Sequence, residues 1–288
     1  MNFIYTFLFS LFLLATGLNA QQAFKLTKDY DPETEKVYKV NALLEGGTAL
    51  LGMGTTVYFF QKINDKDGFS PEGLDRDDVP GIDRWAFPAS SDQREEAGAA
   101  SDAVFYPSMA LPFTLFFSKK IRKDWVDITA MYFQAQAING LLYAASPLGP
   151  NFRTRERPVA YYPELFEDDE KAPGKDINSF FSGHVSSAAT GTFFFAKVLS
   201  DYNPQWNGLQ KALVFGAASL PPLFVGVQRV RALRHFPTDV AVGYGLGAVI
   251  GILTPHIHKR WQQKHRTSLS LSGGYGGGAA AMGFSLTF

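Results

Sequence analysis

The sequence predicts an all-α fold, a six-helix bundle embedded in a membrane, and three observations carry that expectation. Apolar stretches of helix length recur at 41–60, 103–117, 125–145, 180–199, 211–227 and 238–257. The connectors between them collect most of the Asp, Lys, Arg and Pro. Period-two alternation, the mark of strands, is confined to the C-terminal tail. A membrane span needs about 20 predominantly apolar residues. Glu45 interrupts the first stretch, and Gln134, Gln136 and Asn139 interrupt the third. Polar residues that face a bundle interior reconcile these interruptions with a membrane setting; a soluble helical bundle is the competing expectation.

Taken in order, Met1–Ala20 is nearly continuously apolar from Phe3 to Leu14 and ends Gly17-Leu-Asn-Ala20. It reads as a signal peptide or an N-terminal anchor, so the chain is expected to be exported. Residues 21–40 form a polar segment, 41–266 the six-helix domain, and 267–288 a Gly-rich tail. Lys plus Arg and Asp plus Glu both number 27, so no bulk charge points to nucleic acid. Cys is absent, which excludes disulfides and thiolate metal sites. Residues 64–102 and 161–178 read as solvated connectors, the second carrying the acidic run Glu167-Asp-Asp-Glu170. Pro221-Pro222 is expected to kink or break the fifth helix. Gly243, Gly245, Gly247 and Gly251 are expected to admit a neighbouring helix closely. His256 and His258 fall on different helix faces, and no carboxylate accompanies them or His265, which favours a basic interfacial tail over a metal site. Ser268-Leu-Ser-Leu-Ser and the closing Gly-Phe-Ser-Leu-Thr-Phe predict a β-hairpin.

Charge placement sets the expected orientation. Ser118-Lys-Lys-Ile-Arg-Lys123 separates the second and third helices, and a basic run from His258 to Arg266 follows the sixth. With both in the cytoplasm, the connectors that hold the chemistry face the periplasm or exterior. Six spans then put the residues before the first helix in the cytoplasm as well, against a cleaved signal. An uncleaved first span, or a soluble exported bundle, removes the conflict.

Three segments carry chemistry. Gln228–Gly245 holds Arg229, His235 and Asp239 as Arg-x5-His-x3-Asp, ahead of an apolar run. Pro237 suits the first helical position, because its missing amide hydrogen would be unpaired there anyway. His235 then stands at the helix mouth with Asp239 one turn further in. A carboxylate behind an imidazole fixes its tautomer, and a guanidinium at Arg229 can fork onto an oxyanion. Ser182-Gly183-His184 opens another apolar run, and a helix N-terminus there would offer amide hydrogens to an anion. Arg153-Thr-Arg155-Glu-Arg157-Pro158 supplies further cations upstream. Together these read as a phosphate site containing a nucleophile.

Arg157-Pro158, Ser182-Gly183-His184 and Arg229-x5-His235-x3-Asp239, in this order within the motif core 125–255, resemble the type 2 phosphatidic acid phosphatase superfamily, which includes the vanadium haloperoxidases. The family pattern is Lys-x6-Arg-Pro, Pro-Ser-Gly-His and Ser-Arg-x5-His-x3-Asp. This chain departs from it at Pro150, Phe181 and Gln228, which stand where the pattern has Lys, Pro and Ser. Arg153 or Arg155 is the expected replacement for the missing cation, and Lys175 a spare one. The resemblance implies that His235 attacks phosphorus, Asp239 orients it, and His184 protonates the leaving oxygen and then activates water. It assigns the phosphate oxygens to Arg157, Arg229, Ser182 and Gly183. It implies a phosphatase acting on a lipid phosphate or pyrophosphate, with no metal or cofactor. The alternatives are a haloperoxidase, which would hold vanadate in the same site, and a non-catalytic membrane protein.

Overall fold

A computed structural model describes residues 36–87, 91–166, 172–264, 268–276 and 279–287. The expectations for Met1–Ala20, the acidic run 167–170 and most of the polar segment 21–40 lie outside these residues. Among the described residues there are six long helices, α1 (Ala42–Asn64), α2 (Arg94–Ala110), α3 (Trp125–Ala144), α4 (Gly183–Asp201), α5 (Gly208–Arg231) and α6 (Pro237–Lys264), and a seventh of a single turn, Lys119–Arg122. The chain divides into two compact units, Lys36–Ile257 and one holding His258–Phe288. In the second unit, β1 (Ser268–Gly276) pairs antiparallel with β2 (Ala279–Thr287) from Ser268↔Thr287 to Gly276↔Ala279, the hairpin that the tail's alternation predicts.

Two helices differ from the sequence reading. Helix α2 begins at Arg94, nine residues before the apolar stretch, because its first turns are polar and only packing marks them as helical. Its apolar end then tightens into a 3-10 segment, Leu111–Phe117, where Pro112 removes an amide donor. Helix α5 runs unbroken through Pro221 and Pro222, against the expected break. Both its ends are fixed, which holds the helix across the lost donors. At the start, Asn207 and Gln210 cap each other's backbone at 2.9 and 3.0 Å. At the end, the turn after Arg231 closes with two backbone hydrogen bonds described below.

The helices alternate in direction, and hydrogen bonds identify the two ends of the bundle. Lys120 Nζ donates to the Tyr202 carbonyl at 2.7 Å, just past the C-terminus of α4. Asp124, at the start of α3, is fully buried and accepts from the Tyr202 hydroxyl and the Val37 amide. The basic turn Lys119–Arg122 therefore lies at the end of α4 opposite Ser182, about 28 Å away along 19 residues of helix. All three motifs and the long connectors lie at the other end. There Phe69 and Ala172 form a backbone bridge at 3.0 and 2.9 Å, which joins the two connectors.

Each interrupting polar residue has a hydrogen-bond partner on its own or a neighbouring helix. Gln134 Nε2 donates to Glu45 Oε2 at 2.5 Å, and Asn139 Nδ2 to Ser187 Oγ at 2.9 Å. Gln136 Nε2 donates to the Tyr132 hydroxyl at 2.9 Å. Outward faces are apolar instead. On α5, Leu209, Leu213, Leu220 and Val227 are each more than half exposed, and α1 exposes Leu50, Leu51 and Val57 in the same way. Helices Gly208–Arg231 and Pro237–Gln262 are long and apolar enough to cross a bilayer.

Contact between α4 and α6 is set by backbone. A Cβ on Gly243, Gly247 or Gly251 would stand 2.6, 2.1 or 2.6 Å from the carbonyl oxygen of Ser182, Ser186 or Thr190. Both rows advance by four residues, so the two backbones run against each other over two turns. Gly245 points into open space, unlike the expectation for all four glycines. Gly247→Ala is therefore expected to lower stability by about 1–3 kcal/mol through overpacking, and Gly245→Ala to leave it unchanged or slightly raise it. Thermal unfolding of the two variants in detergent checks this; equal midpoints would contradict the packing described.

Candidate active site

Backbone hydrogen bonds bring the motif segments together before any side chain does. Residues 155–157 pair alongside 176–179: Arg157 N donates to Asp176 O at 2.7 Å, Arg155 N to Ile177 O at 3.0 Å, and Ser179 N to Arg155 O at 2.9 Å. Ser182 N donates to Asp239 O at 3.1 Å, which fixes the start of α4 to the start of α6. Val159 N donates to Leu233 O at 3.1 Å. The Arg-Pro, Ser-Gly-His and Arg-x5-His-x3-Asp segments thus meet within one layer at one end of the bundle.

The turn that delivers His235 is a Schellman closure of α5. Leu233 adopts φ 57°, the left-handed region, although it is not glycine. Leu233 N donates to Val230 O at 2.9 Å and Arg234 N to Arg229 O at 3.0 Å, the two bonds of that motif. The left-handed conformation costs a Leu about 1–2 kcal/mol. Its side chain is fully buried, which contributes about as much or more. The turn then feeds Pro237, the first residue of α6, as the sequence predicts.

His235 is buried, and its Nδ1 lies 2.6 Å from the Ser179 carbonyl oxygen. A carbonyl only accepts, so Nδ1 carries the proton and Nε2 keeps its lone pair. Burial pushes the His235 pKa well below the usual imidazole value. Nearby Arg157 and Arg229 push it the same way, and the Ser179 carbonyl opposes them. The ring is neutral at pH 7, the form that can act as a nucleophile.

Asp239 does not orient His235 directly, which corrects the sequence reading. Its Oδ2 accepts from the Ser179 hydroxyl at 2.6 Å and from the Phe236 amide at 2.8 Å, and its Oδ1 accepts from Arg155 Nη1. Asp239 is thus tied to residue 179, whose carbonyl holds the imidazole. At the third position of α6 it also caps an amide of its own helix. Ser179 carries this link through its hydroxyl on one side and its carbonyl on the other, and the sequence assigns it no role because no motif spacing includes it.

Arg155 does not replace the missing Lys. Its guanidinium bonds Asp239, Thr238 Oγ1 at 2.9 Å and Asp83 Oδ2 at 2.7 Å, and it stacks 4.4 Å above the Phe236 ring. Two buried carboxylates neutralise it. Asp83, from a connector read as solvated, also accepts from Thr238 N at 2.9 Å and Thr238 Oγ1 at 2.8 Å. Arg153 is exposed and has no side-chain partner among the described residues. Lys66 Nζ donates to the carbonyl of Pro150, the position of the pattern's Lys, at 2.5 Å and to Asn178 Oδ1 at 2.7 Å. Lys175 is exposed.

The residues assigned to phosphate oxygens have free donors. Ser182 is the N-cap of α4 and is fully buried, yet its hydroxyl makes no cap hydrogen bond and no other. Arg157 Nε and Arg229 Nε are likewise buried without a partner. Each guanidinium faces one carboxylate at long range, Arg157 Nη1 to Asp176 at 3.7 Å and Arg229 Nη1 to Asp102 at 3.6 Å. Gly183 opens α4 and packs against Tyr143, whose ring would lie 3.2 Å from an added Cβ. His184 Nε2 lies 3.4 Å from Asp102 Oδ1, and its ring packs against Phe105 at 4.6 Å. Asp102, shared by His184 and Arg229, comes from α2; no spacing in the sequence connects it to the motifs. Among the described residues no cluster of three His, Asp or Glu could hold a metal ion.

Removing Arg155 strips the guanidinium that pairs with two buried carboxylates, so Arg155→Ala is expected to destabilise the protein by about 3 kcal/mol. Arg153→Ala is expected to change stability by less than about 0.5 kcal/mol. Unfolding midpoints measure both. For His235, nitrogen NMR is expected to show a neutral ring protonated on Nδ1 down to pH values well below 6.5. Replacing Arg157 by Gln removes a cation and should raise the titration midpoint. A ring that titrates in the ordinary range in the wild type would contradict the described environment.

A solved structure, that of a transmembrane PAP2 type phosphatidylglycerolphosphate phosphatase from Bacillus subtilis, is similar to this chain at 18% identity, with a TM-score of 0.41; the match covers 74% of this chain and 96% of that one. No curated protein matches the chain. The sequence profile of the PAP2 superfamily matches residues 124–263. Over that stretch, which contains Arg157, the Ser-Gly-His segment and Arg229 to Asp239, the chain belongs to the PAP2 superfamily.

Proposed function

We propose that the chain is a metal-independent phosphatase that cleaves a lipid phosphate or diphosphate monoester through a phosphohistidine. The observation that carries this reading is a neutral buried imidazole, its Nε2 lone pair free, among buried donors without partners: Ser182 Oγ, Arg157 Nε and Arg229 Nε. Such donors, fixed before the reaction, stabilise the charge of a transferring phosphoryl group without reorganising. His235 Nε2 forms the bond to phosphorus as the ester P–O bond breaks. His184 gives a proton to the departing oxygen, then takes one from the water that cleaves the P–N bond and regenerates His235. Asp102 holds one edge of His184 during both steps, and Asp239 acts on His235 only through Ser179.

A lipid substrate is supported by the outward apolar faces of α1 and α5 and by two helices of spanning length and composition. Hydrocarbon covers such faces in a bilayer. We infer that the motif end of the bundle faces away from the cytoplasm, because the basic turn Lys119–Arg122 lies at the opposite end. The natural absence of cysteine makes single-Cys variants at Lys175 and Lys119 a direct test. An impermeant thiol reagent applied to intact cells is expected to label the first and not the second. Labelling of both or of Lys119→Cys alone would refute the orientation.

The two histidines are expected to fail differently. His235→Ala should abolish turnover of every phosphate ester, however good the leaving group. His184→Ala should slow the first step far more for an alkyl or lipid ester than for a nitrophenyl ester, whose leaving oxygen needs little protonation. Acid-quenched phosphoenzyme formation with both substrates measures this. A phosphoenzyme in His235→Ala, or equal losses for both esters in His184→Ala, would reverse the assigned roles.

A further inference from the structure

The family pattern places a third cation at the phosphate, and in this chain the obvious replacements are tied elsewhere or exposed. Arg155 is neutralised by Asp83 and Asp239, Lys66 is bound to Pro150 and Asn178, and Arg153 and Lys175 are exposed. Arg234 is different. It directly precedes the nucleophile, is half-buried, and its side chain has no hydrogen bond or ion pair among the described residues.

Resting on the phosphatase reading above, we propose that Arg234 supplies the third phosphate-binding cation in place of the motif Lys, arriving from the α5–α6 turn and not from the end of α3. The Schellman closure is the structural reason. It pairs the third-last helical residue with the second residue past the cap, here Arg229 with Arg234, through the 3.0 Å backbone hydrogen bond. Side chains at these two positions are neighbours in that motif, so the turn that fixes Arg229 also aims Arg234 at the same region. Electrostatic interactions of Arg234 with Arg157, Arg229 and His184 agree with that placement.

A cavity of about 260 Å³ at the motif end gives a second line of evidence. Arg234, Lys175, Arg94 and Asp176 are among its lining residues. Asp176 is also the carboxylate facing Arg157, so the cavity, whose lining does not include Arg157, Ser182 or Arg229, borders the donors through that one residue of its wall. Arg94 is paired with Glu95 at 3.3 Å. Arg234 is therefore the half-buried cation on that wall without a counter-charge. Three guanidiniums brought this close repel one another, which an anion bound between them would relieve. The same turn forces Leu233 into a left-handed conformation, a local strain of the kind retained where geometry serves a site.

The test uses the full-length protein in detergent and two readouts, orthovanadate binding by calorimetry and steady-state hydrolysis of a lipid phosphate. Arg234→Ala is expected to weaken vanadate binding at least tenfold and to lower kcat/KM by about 10²–10³, the usual loss for one transition-state donor. Arg234→Lys should recover part of both, because it restores the charge without the fork. Lys66→Ala and Arg153→Ala should bind vanadate as the wild type does. Wild-type vanadate binding in Arg234→Ala, or a loss in Lys66→Ala or Arg153→Ala that exceeds that of Arg234→Ala, would overturn the proposal. A wild type that binds vanadate but hydrolyses no phosphate ester would sink the phosphatase reading alone and leave the Arg234 comparison intact. A wild type that binds no vanadate would overturn both.

Discussion

The carboxylate of Asp239 is the point on which the site depends. It sits fully buried at the start of α6 and accepts from the Ser179 hydroxyl, the Phe236 amide and the Arg155 guanidinium. Each donor belongs to a different motif segment. A hydrogen bond to a charged group contributes about 1.5–3 kcal/mol, and a buried carboxylate without partners is unstable enough that it forces them into place. Through Ser179 the charge reaches the ring of His235; through Arg155 it reaches Asp83 and the first connector. One side chain therefore does three jobs: it caps a helix, joins the motif segments, and holds in place the carbonyl that selects the imidazole tautomer.

This arrangement separates orientation from charge stabilisation. A carboxylate directly on the imidazole would favour the imidazolium and raise its pKa. A backbone carbonyl fixes the same tautomer with a dipole only, so the ring remains neutral beside two guanidiniums. Asp239 lends its rigidity to the imidazole of His235 while its charge is balanced by Arg155. The other histidine has different surroundings. His184 has a carboxylate on its ring edge, Asp102, and remains partly exposed. Burial and the nearby Arg229 and Arg157 nevertheless lower the His184 pKa to about 3, so both imidazoles are neutral at pH 7 and differ in exposure and in their nearest acceptor.

Periodicity and spacing revealed the scaffold and not the wiring. Six apolar runs located six helices, since bundle interiors and lipid faces both select apolar residues over whole turns. The polar start of α2 and the prolines of α5 were misread for one reason: local propensity was outweighed by tertiary contacts and by capping at a distance. Motif spacing singled out His235, Asp239, Arg157 and Arg229, which the fold brings to one end of the bundle, because residues four or six apart in a helix or tight turn keep a fixed relation. Asp83, Asp102 and Ser179 escaped it. They come from a connector, another helix and a backbone carbonyl, and no one-dimensional pattern links such positions to the site.

The missing Lys shows why substitution by residue type is a poor guide in such a site. Arg155 and Asn178 stand 23 residues apart in the sequence, yet their backbones bridge, and the guanidinium of Arg155 is held at Asp239. Lys66 has the right chemistry and stands at the right residue, Pro150, but two acceptors hold its ammonium there. What decides the role of a cation here is the number of carboxylates and carbonyls already facing it. Arg155 faces two carboxylates within hydrogen-bond distance. Arg157 and Arg229 each face one, at a separation too long for a hydrogen bond. Positive charge left over after internal pairing is what an anion can bind, and in this protein it is concentrated where α4, the Arg-Pro segment and the α5–α6 turn meet.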